Sequence, residues 1–122
     1  MRLYGTGGLR RVNSDQPFTD VIVSERTPRV ERAIAGHPSL KPQSFLRQVV
    51  HASLPLGSGV VLDPFMGSGS TVAAAESLGL RSIGVERFED YFEMSLQAIP
   101  RLARLSVRTD VQQLNILALL GD

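Results

Sequence analysis

The stretch "VVLDPFMGSGSTVAAAESLGLRSIGVE", Val60 to Glu86, reads as strand, glycine loop, helix, turn and second strand, with an acid at the end of each strand. "VVLDPF" is a short β-branched run of strand length, and its continuous apolar character predicts burial on both faces. The helix starts near Ser70 and stops at Gly79, a residue suited to the left-handed position after a helix end. "RSIGVE" is the second strand, and strand, helix, strand in that order implies a parallel α/β layer.

Upstream, "PQSFLRQVVHASLPLG" places Phe45, Leu46, Val49 and Val50 on one helical face, with Pro42 fitted to a first helical turn. Downstream, "RFEDYFEMSLQAI" sets Phe88, Phe92, Leu96 and Ile99 along a stripe that reads as core, and Pro100 is expected to interrupt or kink that helix. Before Pro38 the chain is rich in turn formers, with short runs such as Asp20–Val23, and it reads as loops with a hairpin. The tail "VQQLNILALL" is apolar enough to be buried as helix or strand.

Length and charge limit what else is present. At 122 residues, 43% hydrophobic and 20% charged, the chain holds one compact core of ordinary soluble composition, at the low end for a complete nucleotide-dependent enzyme. Stretches of membrane-span length and apolarity are missing, as is an export signal, so the default expectation is a cytoplasmic location with no membrane partner. Zero cysteines exclude disulfides and thiolate metal sites, and no metal centre is expected. Residues 1 to 42 carry seven bases against four acids, and the rest six against eight. An arginine-rich first third suits phosphates. A solvated face explains it equally well.

What the loop holds follows from what it lacks. A phosphate loop needs a lysine after its last glycine, but Gly67 and Gly69 are followed by Ser70, Thr71 and Val72. A dinucleotide fingerprint needs a third small residue where Val72 stands. Asp63, just before the loop, would repel a diphosphate at close range. A carboxylate beside backbone N–H groups instead suits an amino acid's ammonium and carboxylate together. Glu86 lies 23 residues beyond Asp63, near the offset of about 20 residues at which an acid accepts hydrogen bonds from ribose hydroxyls. Ribose, ammonium and no phosphate describe S-adenosylmethionine.

Asp63-Pro64-Phe65-Met66-Gly67-Ser68-Gly69-Ser70-Thr71, preceded by His37-Pro38-Ser39-Leu40-Lys41-Pro42 and followed by Ile83-Gly84-Val85-Glu86, resembles the DNA amino-methyltransferases that modify the exocyclic amine of adenine or cytosine. The order matches the circularly permuted group of that family, and the resemblance runs from about Leu3, where residues 3 to 7 are similar to the end of a late strand, to about Leu105. It implies a Rossmann-like S-adenosylmethionine-dependent methyltransferase fold, here with a partial sheet. It divides the chain into a variable segment over residues 1–36, a candidate DNA-facing region, and a cofactor-binding α/β domain over residues 37–122. It also implies DNA methylation of the kind that accompanies restriction-modification, with DNA as partner.

Carried over by position, the resemblance implies that Asp63, Phe65, Gly67, Ser68 and Gly69 surround the methionine part of the cofactor. Glu86 takes the ribose, Arg87 or Phe88 lies near the adenine, and His37 to Pro42, including Lys41 and Pro42, close over from the other side. Serine at position 70, where the family often has threonine, and Leu40, where it often has a polar residue, are mild departures. Simpler roles stand beside these: the glycines as a tight turn, Asp63 as a helix cap, Lys41 as a surface residue, His37 and His51 as structural, and Phe88 and Phe92 as core.

The family also uses an Asp, Asn or Ser followed by Pro-Pro and an aromatic, which holds the target amine for in-line attack. No such tetrapeptide occurs in these 122 residues, and the nearest string, Asp15-Gln16-Pro17-Phe18, has one proline. The catalytic residues are therefore unknown, and the sequence resembles the carboxyl-terminal half of an enzyme. Three readings stay open: the cofactor portion of a methyltransferase, a non-catalytic remnant or regulatory subunit, and a small NAD-binding oxidoreductase domain. A narrow sheet with open edges further predicts a homo-oligomer or a second subunit.

Overall fold

The computed structural model describes residue 22, residues 24–54 and residues 56–107. The readings at residues 3–7, Asp15–Phe18, most of residues 20–23 and residues 111–120 lie outside them. The elements run α1 (Arg29–Ile34), α2 (Gln43–Ser53), β1 (Val60–Asp63), α3 (Ser70–Ser77), β2 (Arg81–Gly84) and α4 (Glu89–Ala103). Strand, helix, strand and helix fall where periodicity placed them. Helix α1 does not: Arg29–Ile34 belongs to the stretch expected to be loops and a hairpin. It is a short helix opened by Pro28, with Glu31 and Ala35 turned into the protein.

β1 and β2 pair in parallel, with Val60 opposite Arg81, Leu62 opposite Ile83 and Asp63 opposite Gly84. Among the described residues the sheet has these two strands only. Helix α3 crosses between them and packs against both α2 and α4. Three consecutive alanines make that possible, because small side chains let neighbouring elements approach closely. Ala73 joins Ala35, Ala98 and Leu102 in one buried cluster, while Ala74 and Ala75 join Leu46 and Val50 in a second. Val61 packs onto the second cluster, so the helices cover the sheet face that Val61 presents.

Among the described residues nothing covers the opposite face. Val60, Leu62, Ile83 and Val85 are all exposed, Leu62 at 63%. The expectation that both faces of β1 are buried is therefore corrected: an apolar run records the capacity for burial, and α2 and α3 lie on one side only.

Two readings of α4 also change. Phe88, Phe92 and Leu96 are exposed, and the buried residues are Ser95, Ala98 and Leu102, so the helix is turned away from its aromatic stripe. Of the interruption or kink expected at Pro100, the interruption does not occur, since the helix continues to Ala103. Proline removes one backbone donor near the end of a helix, where the following carbonyls need partners in any case. Arg47 supplies them, its Nη2 donating to the carbonyls of Leu102 at 3.0 Å and Ala103 at 3.4 Å.

Candidate functional site

The glycine loop leaves the carboxyl end of β1. Its first turn is built by Asp63, whose Oδ1 accepts the Phe65 N–H at 3.0 Å. Helix α3 is instead preceded by Gly69, in the left-handed conformation at φ 85°, with no side-chain cap, so Asp63 does not cap it. The ladder continues past the strands, with Val85 N–H on the Asp63 carbonyl at 2.9 Å and Met66 N–H on the Val85 carbonyl at 3.0 Å. These bonds hold the loop against the chain that leaves β2.

Each glycine meets a different constraint. Gly67 has φ 56°, and a Cβ there would lie 3.0 Å from His37 Nε2. At Gly69 a Cβ would meet Ile99 Cγ1 of α4 at 2.5 Å. A side chain at Gly84 would collide with Met66 and Val72. The first glycine thus lets the His37 segment approach the loop, and the other two let the loop and α3 settle on α4 and β2.

Glu86 closes the arrangement. Its Oε2 accepts the Gly67 N–H at 2.9 Å and its Oε1 accepts the Phe88 N–H at 2.8 Å. These charge-assisted bonds favour the ionised form. The Phe88 N–H, acting more strongly than the Gly67 N–H, holds the carboxyl below its ordinary value against an opposing desolvation. Asp63 and Glu86 are both half-buried, whereas Leu62, Ile83 and Val85 are exposed, so the two acids share one side of the alternation at neighbouring strand ends.

His37 lies across the loop. Its Nδ1 accepts the Ser39 N–H at 3.0 Å, which leaves the neutral ring its proton on Nε2. The ring packs edge-on to Tyr91, with centroids 4.3 Å apart. Arg87 sets its guanidinium 4.9 Å from the centroid of the Phe88 ring, and Phe88 in turn stands perpendicular to Tyr91. Pro42 is buried at the start of α2, while Lys41 and Arg87 are exposed. Ser68 is buried, and Phe65 is 88% exposed rather than folded into the loop.

Behind the loop lies a buried polar chain that the apolar periodicity passed over. Glu31 Oε2 accepts the Gln43 backbone N–H at 3.0 Å, Gln43 Nε2 donates to the Ser70 carbonyl at 2.8 Å, and Arg47 Nε donates to Gln43 Oε1 at 3.4 Å. Desolvation pushes the Glu31 carboxyl up and the Arg47 guanidinium down, and each is partly offset by attraction to the other. One signal could have found this chain. Gln43, Leu46, Arg47 and Val50 recur at the spacing of a buried helical stripe, with two polar residues in it.

The family profile for DNA methylases of the N6/N4 type matches residues 6–97. The chain is 33% identical over 92 residues to the type II methyltransferase M2.DpnII of Streptococcus pneumoniae, covering 75% of this chain and 34% of the relative. It is 37% identical over 79 residues to the type II methyltransferase M.ScaI of Streptomyces caespitosus, covering 65% of this chain and 25% of the relative. It therefore spans about a third or less of the length of these curated relatives. In three dimensions it resembles the crystal structure of the M1.HpyAVI–SAM complex, with a TM-score of 0.57 and 24% identity over 75% of this chain and 43% of that one. That likeness is one of fold, and it agrees with the Rossmann-like α/β reading. Taken with the glycine loop, its two flanking acids and the His37–Pro42 segment, the match across residues 6–97 shows that the chain belongs to the N6/N4 DNA methylase family.

Proposed function

We propose that this chain is the S-adenosylmethionine-binding portion of a DNA methyltransferase acting on an exocyclic amino group of adenine or cytosine. The observation that carries the reading is the Glu86 carboxylate fastened to the Gly67 N–H at 2.9 Å. It sets a fixed negative charge at a glycine loop that has no lysine, an arrangement that suits a cationic nucleoside and opposes a diphosphate. A carboxylate has about four acceptor positions, more than the N–H groups of Gly67 and Phe88 use. Glu86 can therefore take ribose hydroxyls while it stays anchored.

The residues present fit the cofactor. In this reading Asp63, Phe65, Gly67, Ser68 and Gly69 surround its methionine part and Glu86 holds the ribose. Arg87 lies by the adenine, and Lys41 and Pro42, following His37, flank the opposite side. When bound, S-adenosylmethionine supplies an electrophilic methyl group on sulfonium. The chain's own contribution is to orient that group and to keep the negative charge of Asp63 and Glu86 nearby.

We assign the base-holding step to residues outside these 122, on the same chain or another, because the Pro-Pro-aromatic tetrapeptide is not among them. DNA is the proposed substrate, with residues 1–36 facing it and residues 37–122 forming the cofactor domain. The exposure of Arg26, Arg29 and Arg32 supports this division. The apolar sheet face that no described residue covers supports a homo-oligomer or a second subunit. We place the protein in the cytoplasm; among the described residues no helix is long and apolar enough to cross a membrane.

Calorimetry with S-adenosylmethionine, S-adenosylhomocysteine and NAD tests the reading. Binding of the two sulfur nucleosides without NAD is expected, and binding of NAD alone would overturn it.

A further inference from the structure

The segment after His37 and the glycine loop come from different parts of the chain, yet they meet at two points. In front, a Cβ at Gly67 would lie 3.0 Å from His37 Nε2. Behind, Gln43 Nε2 donates to the carbonyl of Ser70, the first residue of α3, at 2.8 Å. Residues 37–43 are thus fixed against residues 67–70 at both ends. The rear contact is the more constrained. Gln43 is fully buried, and its amide has one possible orientation, because the Ser70 carbonyl only accepts and the Arg47 guanidinium only donates.

Gln43 is itself held from a third side. It is the first residue of α2, which has no side-chain cap of its own, so its backbone N–H would be an orphan inside the protein. Glu31 of α1 accepts that N–H at 3.0 Å. Backbone and side chain of one residue therefore join α1, α2 and the start of α3, with Arg47 extending the chain to the end of α4.

Building on the cofactor assignment above, we propose that Gln43 is a positioning residue for the cofactor loop: it touches no ligand and sets the register between the His37–Pro42 segment and Gly67–Gly69. Core packing alone does not set this register. The buried apolar contact between α2 and α3 runs through Leu46, Val50, Ala74 and Ala75, aliphatic side chains that make no hydrogen bonds of their own. The Gln43 amide adds a directional bond at the end nearest the loop.

The test uses the 122-residue chain and S-adenosylhomocysteine, with Gln43→Met and Gln43→Glu. Methionine keeps the volume and removes the donor. Glutamate keeps the shape and the Arg47 partner, and places an acceptor against the Ser70 carbonyl. Gln48→Met is the control, since Gln48 makes a bond of the same 2.8 Å length to Ser44 within its own helix. Well below the unfolding temperature, both Gln43 variants are expected to bind about three- to tenfold more weakly, the range one lost hydrogen bond accounts for, and Gln48→Met to bind as the parent does. Amide exchange at Gly67 should quicken in the Gln43 variants while that at Ser82 and Ile83 stays unchanged. Parent-like affinity in either folded Gln43 variant overturns the inference and leaves the cofactor reading intact. Failure of both to fold also overturns it, because Gln43 would then be a folding determinant. No binding by the unaltered chain overturns the cofactor reading, and the inference with it.

Discussion

The Glu86 carboxylate accepts the Gly67 N–H at 2.9 Å, so the acid beyond β2 is tied to the loop that leaves β1. Its carboxyl is held below the ordinary value of 4.5, chiefly by the Phe88 N–H. A depressed value means that the ionised contact is intact above the ordinary value and is lost as pH falls through the lowered one. The Gly67 amide resonance should accordingly titrate with a midpoint below 4.5, and Glu86→Gln should abolish that titration. A midpoint at or above 4.5 contradicts the geometry. The same substitution should weaken S-adenosylhomocysteine binding by about tenfold.

The two loop glycines should fail in different ways. Gly67→Ala puts a side chain into left-handed backbone and against the movable ring of His37, at a cost of about 1–2 kcal/mol. Its main effect should be on ligand affinity. Gly69→Ala adds a collision with Ile99 in a packed region, for a total of about 2–4 kcal/mol, and should lower the thermal midpoint more. Equal losses of stability in the two variants would refute this division.

Arg47 satisfies the last carbonyls of α4 and lies near the buried Glu31. Arg47→Met should destabilise by about 2–4 kcal/mol, since hydrogen bonds from a charged donor are lost and polar groups are left buried. It should also raise the Glu31 carboxyl further, by removing the attraction that lowers it. A raised value contributes stability below the ordinary value and loses it as pH rises. The variant should therefore lose more stability than the parent as pH rises above 4.5, which denaturant titration on either side of that value will measure.

Leu62 and Ile83 face each other across the ladder on the exposed sheet face. If a second copy or subunit covers that face, replacing both with threonine should reduce association in light scattering while the isolated chain keeps its stability within about 0.5 kcal/mol. A clear fall in the stability of the monomer would show that the face is already covered within the chain.

The loop, the two acids and the elements that carry them were legible because their signals are local: glycine spacing, a β-branched run, a helix stop at Gly79. Gly79 indeed has φ 70°. What escaped depends on neighbours distant in sequence. Glu31 is one of four acids in the first 42 residues and nothing local marks it for burial, yet α1 folds it onto Gln43, 12 residues away. Phe88, Phe92 and Leu96 formed a convincing apolar stripe, yet α4 buries the smaller Ser95 and Ala98 because its partner, α3, presents alanines at close approach. Burial of both β1 faces was a reasonable inference from Val60–Leu62 alone. Nothing within the strand says how many layers will cover it.

The decisive measurement is a crystal structure of the chain with S-adenosylhomocysteine. Ribose hydroxyls are expected on the Glu86 carboxylate and the amino acid end against Gly67–Gly69 and Asp63. A nucleoside bound elsewhere, with the loop unchanged and the Glu86 carboxylate out of its reach, would contradict it.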